Sequence, residues 1–240
     1  MSSSRLPGKV MQDLAGKPIL QHVLERCRRI ENAQVVVCAI ADEPTNAPLI
    51  ATARASGVEV FVGPVHDVLE RYRGAAHSVA ATEIVRVTSD CPLIDPEICG
   101  AVIRKRAGDN ADYASNLTPR SYPKGLDCEV FSLELLDRAA RAATETFDRE
   151  HVTQWMLRAA DVKRSNVSSG DVSLASYRWT LDYPADLEFM RRLVDLIPVE
   201  TASFADILAT VREHPELPAI NAGLTDGEAQ KTTKDTALHA

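Results

Sequence analysis

Residues 83–96 read Glu-Ile-Val-Arg-Val-Thr-Ser-Asp-Cys-Pro-Leu-Ile-Asp-Pro, and the change of character inside this stretch decides the fold class. Glu83–Thr88 has the β-branched content of a strand, with Arg86 marking less complete burial. Pro96 then opens a helical pattern that runs to Ala107, because proline is tolerated in a first helical turn, where its missing N–H costs nothing. The same strand–turn–helix succession occurs upstream. Gln34–Ile40 (QVVVCAI) and Val58–Val62 read as strands buried on both faces. Pro18–Ile30 reads as a helix with Ile19, Leu20, Val23, Leu24 and Cys27 on one face, and His66–Val79 repeats that pattern. Such alternation implies an α/β fold with parallel strands and helices on both faces of the sheet.

Downstream of Gly108 the pattern changes. Ala111–Ser115 and Asp127–Phe131 read as short strands around the polar segment Thr118–Gly125, followed by helices over Leu133–Ala143 and Glu150–Ala160. Tyr177–Asp182 (YRWTLD) reads as a late strand, and Asp186–Ile197 and Phe204–His214 as closing helices. The expected organisation is one domain over residues 1–221, with an arm over about 109–165, and a disordered tail over 222–240 that lacks apolar period. With 240 residues, 45% of them hydrophobic and 25% charged, the chain has the makeup of a globular protein rather than a disordered one. A net charge of −7 argues against a surface that wraps nucleic acid. No apolar run is long enough to span a bilayer, and no signal segment opens the chain, so the expected location is the cytoplasm. Five cysteines without a CxxC read as reduced, mostly buried thiols, and six scattered histidines offer no zinc spacing.

Five groups of residues carry candidate chemistry. Ser2 to Lys9 combines small hydroxyl residues, Gly8 and the cations Arg5 and Lys9 just upstream of a helix. Backbone N–H groups of small residues approach phosphate oxygens closely, and the cations neutralise them. The ordinary alternative is a flexible serine-rich start. Asp90 stands just past a strand, where ligands bind in open α/β sheets, and a carboxylate there suits Mg²⁺. A lone aspartate at such a place is more often a turn or cap residue. Asp182 ends another apolar run, while Asp186 falls in the first turn of the next helix and complements its dipole. Asp90 and Asp182 would share a metal only if their segments are neighbours. Asp148-Arg149-Glu150-His151 is either a helix-start capping arrangement or a ligand cluster, and Lys124, Asp127 and Glu129 beside Gly125 are either a ligand patch or a solvated strand edge.

Taken together, these stretches resemble the sugar cytidylyltransferases, which include 3-deoxy-manno-octulosonate and acylneuraminate cytidylyltransferases. The match is to the branch named after spore coat polysaccharide biosynthesis protein F. It is carried, in order, by Ser4–Lys9 with Leu14–Pro18, and by GPVHDVLERY (63–72), TSDCPLIDP (88–96), GLDCEVF (125–131), DREHVT (148–153) and TLDYPADL (180–187). The resemblance implies a Rossmann-like, glycosyltransferase-A-type nucleotidyltransferase sheet with flanking helices and a small arm. It also implies transfer of CMP from CTP to a sugar, activated or acidic, with Mg²⁺ and release of pyrophosphate, for surface polysaccharide or glycoconjugate synthesis. Ser3, Ser4, Arg5, Gly8, Lys9 and Lys17 would then serve the triphosphate, and Gly63, Asp67 and Arg71 would lie near the nucleoside. Asp90 and Asp182 would hold the metal and, with Lys9, form the catalytic set. Lys124, Asp127, Glu129, Arg149 and His151 would face the sugar. A homodimer formed through the arm is implied as well.

The family resembled has a buried strand ahead of the loop. Met1 here stands immediately before the serines, so the sheet is expected to lack its first strand and the chain to begin late, at an internal methionine. A central strand of about five apolar residues contributes on the order of 10 kcal/mol of burial. That expectation leaves room for a relative that binds nucleotide or sugar without turnover. Because a fold does not fix a function, a glycosyltransferase consuming a nucleotide sugar is a further alternative.

Overall fold

The computed structural model describes residues 5–224. Ser3, Ser4 and residues 225–240 of the expected tail lie outside the described residues. The chain begins with a 3-10 turn (Lys9–Met11) and a two-stranded hairpin, β1 (Asp13–Leu14) and β2 (Lys17–Pro18), then runs into α1 (Ile19–Cys27). Next come β3 (Val37–Ala41), α2 (Ala47–Ala55), β4 (Glu59–Gly63), α3 (Val68–Ser78), β5 (Glu83–Arg86) and α4 (Pro96–Gly108). The second half adds β6 (Tyr113–Ser115), β7 (Glu129–Ser132), α5 (Leu133–Ala142), α6 (Thr146–His151), α7 (Gln154–Arg158) and β8 (Arg164–Asn166). It closes with α8 (Pro184–Val194), α9 (Phe204–Glu213) and α10 (Glu216–Ile220).

Helix starts follow their sequence signals. Asp67 caps α3 by accepting from Glu70 N, and Asp95 caps α4 by accepting from Glu97 N and Ile98 N, with Pro96 in the first turn. Ser203 and Asp206 form a reciprocal capping box on α9.

The central sheet has four strands in the order β5-β7-β6-β8. Its direction corrects the all-parallel expectation. β7 runs antiparallel to both β5 and β6, whereas β8 is parallel to β6 and β3 is parallel to β4. The cause is the connection between β6 and β7. Residues 116–128 carry no helix, so the chain turns back instead of crossing over, and β7 enters between β5 and β6 in reverse. Among the described residues β3 pairs only with β4, β5 pairs only with β7, and no strand lies ahead of Lys9.

Period-2 alternation distributes the central strands between two cores. Ala114 and Val130 face α1 and α4, where they pack with Val23, Cys27, Ile94, Cys99 and Val102. Tyr113 and Phe131, cross-strand partners with stacked rings 6.4 Å apart, face the other way and pack with Leu69, Leu135, Leu136 and Met156. Each such apolar side chain contributes about 1.5–3 kcal/mol. Buried Arg26 of α1 donates to the carbonyls of Ile94, Val199 and Ala202, and so pins α1 to the loop beyond Asp90 and to the C-terminal segment. Burial lowers its pKa to about 10.

Three other expectations are corrected. Tyr177–Asp182 is an extended segment but not a strand, joined to Lys124 by one isolated bridge at Arg178. Glu150–Ala160 is two short helices, because buried Val152 adopts φ 66°, a left-handed conformation costly for a β-branched residue. Asp148 is not a cap; it lies buried inside α6 and pairs with Arg158.

Candidate active site

Three segments that are far apart in sequence meet at one place. The first is the turn at Lys9. Gly8 has φ 64°, a left-handed value that glycine adopts without a Cβ clash. Val10 is buried with Leu20, Leu24 and Ala53, which anchors the turn. The second is the loop after β5. Leu93 and Ile94 are fully buried, and Cys91 N bonds to Thr88 O, so the loop around Asp90 is tightly turned.

The third is Tyr177–Asp182, threaded between two loops. Lys124 N donates to Tyr177 O (3.0 Å) and Trp179 N to Lys124 O (2.7 Å). Two residues later the partner changes. Leu181 N and Thr180 Oγ1 both donate to Asp90 O, at 2.9 and 3.1 Å. Strand-like alternation is absent, since Trp179, Thr180, Leu181 and Asp182 are all buried. The close threading requires Gly125, because a Cβ there would stand 2.4 Å from the Trp179 carbonyl carbon.

This backbone exchange sets Asp182 beside Asp90. Lys9 Nζ donates to Asp90 Oδ2 at 3.1 Å and to Asp182 Oδ1 at 2.9 Å, bridging the two carboxylates. Arg5 reaches Asp182 Oδ1 at 3.5 Å and Tyr183 Oη at 3.3 Å, with its guanidinium over the Tyr183 ring. Arg178 takes the other oxygen, Asp182 Oδ2, at 3.0 Å. Burial alone would lower the Lys9 pKa, but Asp90 and Asp182 outweigh it and hold the ammonium above its usual value. Burial likewise opposes ionisation of Asp182, yet Lys9, Arg5 and Lys124 together keep its carboxyl below the ordinary range.

The remaining residues singled out from sequence have their own partners. Lys17 pairs with Glu25 at 3.1 Å. Gly63 ends β4, and Arg71 braces the following loop by donating to the carbonyls of Pro64 and Val65. Asp67 and Arg149, assigned by resemblance to different ligands, are ion-paired with each other. Asp127 takes Arg120 through both oxygens, at 2.6 and 2.9 Å. Glu129, 3% exposed, pairs with Arg86 and accepts from Tyr113 Oη at 2.6 Å. His151 packs edge-on against Phe147. Sequence reasoning missed Arg178 and Tyr183. The signal was the spacing Arg178-x₃-Asp182-x₃-Asp186, which was hidden by reading the segment as a strand.

An ammonium shared by two carboxylates marks a point where both carboxylates present an oxygen to one cation. Among the described residues no three His, Cys, Asp or Glu side chains gather to cage a metal. The donor set therefore suits a cation that brings its other ligands along, as Mg²⁺ does with phosphates and water. A groove of about 630 Å³ lined by Glu188, Arg192, Asp195 and His214 holds none of these groups. No helix among the described residues is long and apolar enough to cross a membrane.

Cations and paired carboxylates beyond a strand end, on a sheet flanked by helices, form the arrangement of a nucleotide-handling α/β protein. A family model described as cytidylyltransferase matches residues 1–206. Spore coat polysaccharide biosynthesis protein SpsF of Bacillus subtilis is 30% identical over 200 residues, which cover 80% of this chain and 82% of that one. A 3-deoxy-manno-octulosonate cytidylyltransferase of Anaeromyxobacter dehalogenans is 38% identical over 109 residues, covering 44% and 43%. The solved structure of a cytidylyltransferase from Leptospira borgpetersenii superposes with a TM-score of 0.87 at 26% identity, covering 94% of each chain. The chain belongs to the sugar cytidylyltransferase family, and it is an enzyme of nucleotidyl transfer with the Rossmann-like α/β fold expected of it.

Proposed function

We propose that this enzyme transfers CMP from CTP to an acidic sugar in surface polysaccharide or glycoconjugate synthesis, with Mg²⁺ held by Asp90 and Asp182. The observation that carries the reading is the Lys9 bridge between those two carboxylates. The names of the B. subtilis and A. dehalogenans relatives support the substrate classes. In the reaction a sugar hydroxyl oxygen bonds to the α-phosphorus of CTP, the bond from that phosphorus to the α–β bridging oxygen breaks, and pyrophosphate leaves. The hydroxyl proton passes to solvent or to the departing pyrophosphate, so no side chain is required as base. Bound Mg²⁺ supplies charge neutralisation on phosphate oxygens and lowers the hydroxyl pKa.

The chain's own contribution is positioning and electrostatics, which dominate catalysis of this class. Arg5 and Lys9 pair with the triphosphate. Lys124, which helps to lower the Asp182 pKa, would face the acidic sugar. Release of pyrophosphate from CTP on addition of acidic sugars, dependent on Mg²⁺, is the test. CTP binding without turnover across the panel would leave a binding protein, and consumption of a ready-made nucleotide sugar would make it a glycosyltransferase.

A further inference from the structure

Behind Asp182 lies a buried ion cluster that touches neither Lys9 nor Asp90. Arg178 Nε donates to Asp186 Oδ1 at 2.8 Å, and its Nη2 donates to Asp186 Oδ2 and Asp182 Oδ2, both at 3.0 Å. Asp186 is 0% exposed and Arg178 8%. Asp186 Oδ2 also accepts from the backbone N–H of Asp182 (2.9 Å) and Tyr183 (3.0 Å). Asn221 Nδ2 joins the cluster by donating to Arg178 O and Asp186 Oδ1, both at 2.9 Å. Two guanidiniums lie over the Tyr183 ring, Arg178 at 5.5 Å and Arg5 at 5.0 Å from its centroid.

We propose that Arg178 and Asp186 are positioning residues that fix Asp182 as a one-oxygen ligand for the cation of the nucleotide complex; the inference rests on the metal-assisted reading above. Two arguments carry it. The first is geometric. Arg178 holds Oδ2 of Asp182, and only Oδ1 faces Lys9. A carboxylate gripped in this way cannot rotate to chelate with both oxygens. Its main chain is held too, because Asp186 accepts the Asp182 N–H.

The second is charge. Arg178 gripping Asp182 alone would spend the negative charge that a cation needs. Asp186 supplies a counter-charge to Arg178, so the guanidinium is not neutralised by Asp182 alone. Planar guanidinium geometry is essential, because one fork must meet two carboxylates at once. Supporting groups of this kind typically govern 10–100-fold in metal affinity.

The test uses the full chain and Mn²⁺ as the probe, read by electron paramagnetic resonance with saturating CTP, beside metal-free CTP binding by calorimetry. Arg178→Met is expected to weaken Mn²⁺ binding about 10–100-fold and to leave metal-free CTP affinity within about twofold, with Arg178→Lys intermediate. Asn221→Ala, which removes one donor from the cluster's rim, keeps the question open to measurement if Arg178→Met does not fold, and is expected to lose a few-fold in Mn²⁺ affinity only. Wild-type Mn²⁺ affinity in Arg178→Lys and Asn221→Ala would overturn the proposal, and so would parallel losses of Mn²⁺ and metal-free CTP binding, which are the mark of a merely structural role. Failure of the wild-type chain to bind Mn²⁺ with CTP would overturn the underlying reading instead.

Discussion

Two of the mixed-charge clusters on this fold are built to opposite ends. At Lys9, Asp90 and Asp182 the charges are partly open to solvent, and one ammonium is shared between two carboxylates. At Glu129, Arg86 and Tyr113 the carboxylate is enclosed within the sheet, paired with an arginine and bonded to a phenol. The charges of the first cluster remain within reach of a ligand. The second is spent internally, and its cost is repaid only while every partner is present. Resemblance assigns Asp182 to the metal and Glu129 to the sugar; in the structure Asp182 shares an ammonium with Asp90, whereas Glu129 is paired with Arg86 and Tyr113.

The strongest test of this contrast is on the enclosed side. Glu129→Ala leaves the half-buried Arg86 without its carboxylate and should cost about 3–5 kcal/mol of stability, read by urea unfolding. A stable Glu129→Ala protein with a raised KM for sugar would instead move Glu129 into the sugar site. On the open side, Asp90→Asn should lower metal-dependent turnover by about 100–1000-fold while leaving the thermal melt nearly unchanged. Unchanged rates would remove Asp90 from the reaction. Lys9→Ala should weaken CTP binding about 10–100-fold, the scale of losing a charged hydrogen bond of about 1.5–3 kcal/mol, and should weaken sugar binding less. The reverse order in calorimetric titrations would place Lys9 on the sugar. The smallest effect belongs to Lys17→Ala. Its exposed pair with Glu25 contributes at most about 0.5 kcal/mol, so a large loss of CTP affinity in this variant would show that Lys17 also reaches phosphate.

The same contrast shows what the sequence could convey. Elements with strong local signals were legible: α1 by its apolar stripe, α4 by Asp95 and Pro96, and α9 by its long amphipathic run. α2 was missed because only Ala53 on it is buried, leaving no stripe to read. β8 was missed because Arg-Ser-Asn has no strand composition. The error at Tyr177–Asp182 is the instructive one. Its aromatic and β-branched content reads as strand, but its hydrogen bonds pass from Lys124 to Asp90 and never form a ladder. That exchange of partners is a tertiary event, and it is also what carries Asp182 to Asp90. The residue types of the site were thus visible as motifs, while their convergence over 92 positions (182 − 90) was not encoded in any local pattern. Arg178 and Asp186 stand four residues on either side of Asp182, a spacing that became meaningful once the segment between them was seen to turn.

The central claim is that Lys9, Asp90 and Asp182 converge on one metal–nucleotide position. Anomalous diffraction from crystals grown with Mn²⁺ and CTP tests it most directly. The account predicts a single manganese peak within coordination distance of one oxygen each of Asp90 and Asp182, with triphosphate oxygens beside it and Lys9 turned toward them. Manganese and nucleotide seated elsewhere, with Lys9 still bridging the two carboxylates, would contradict it.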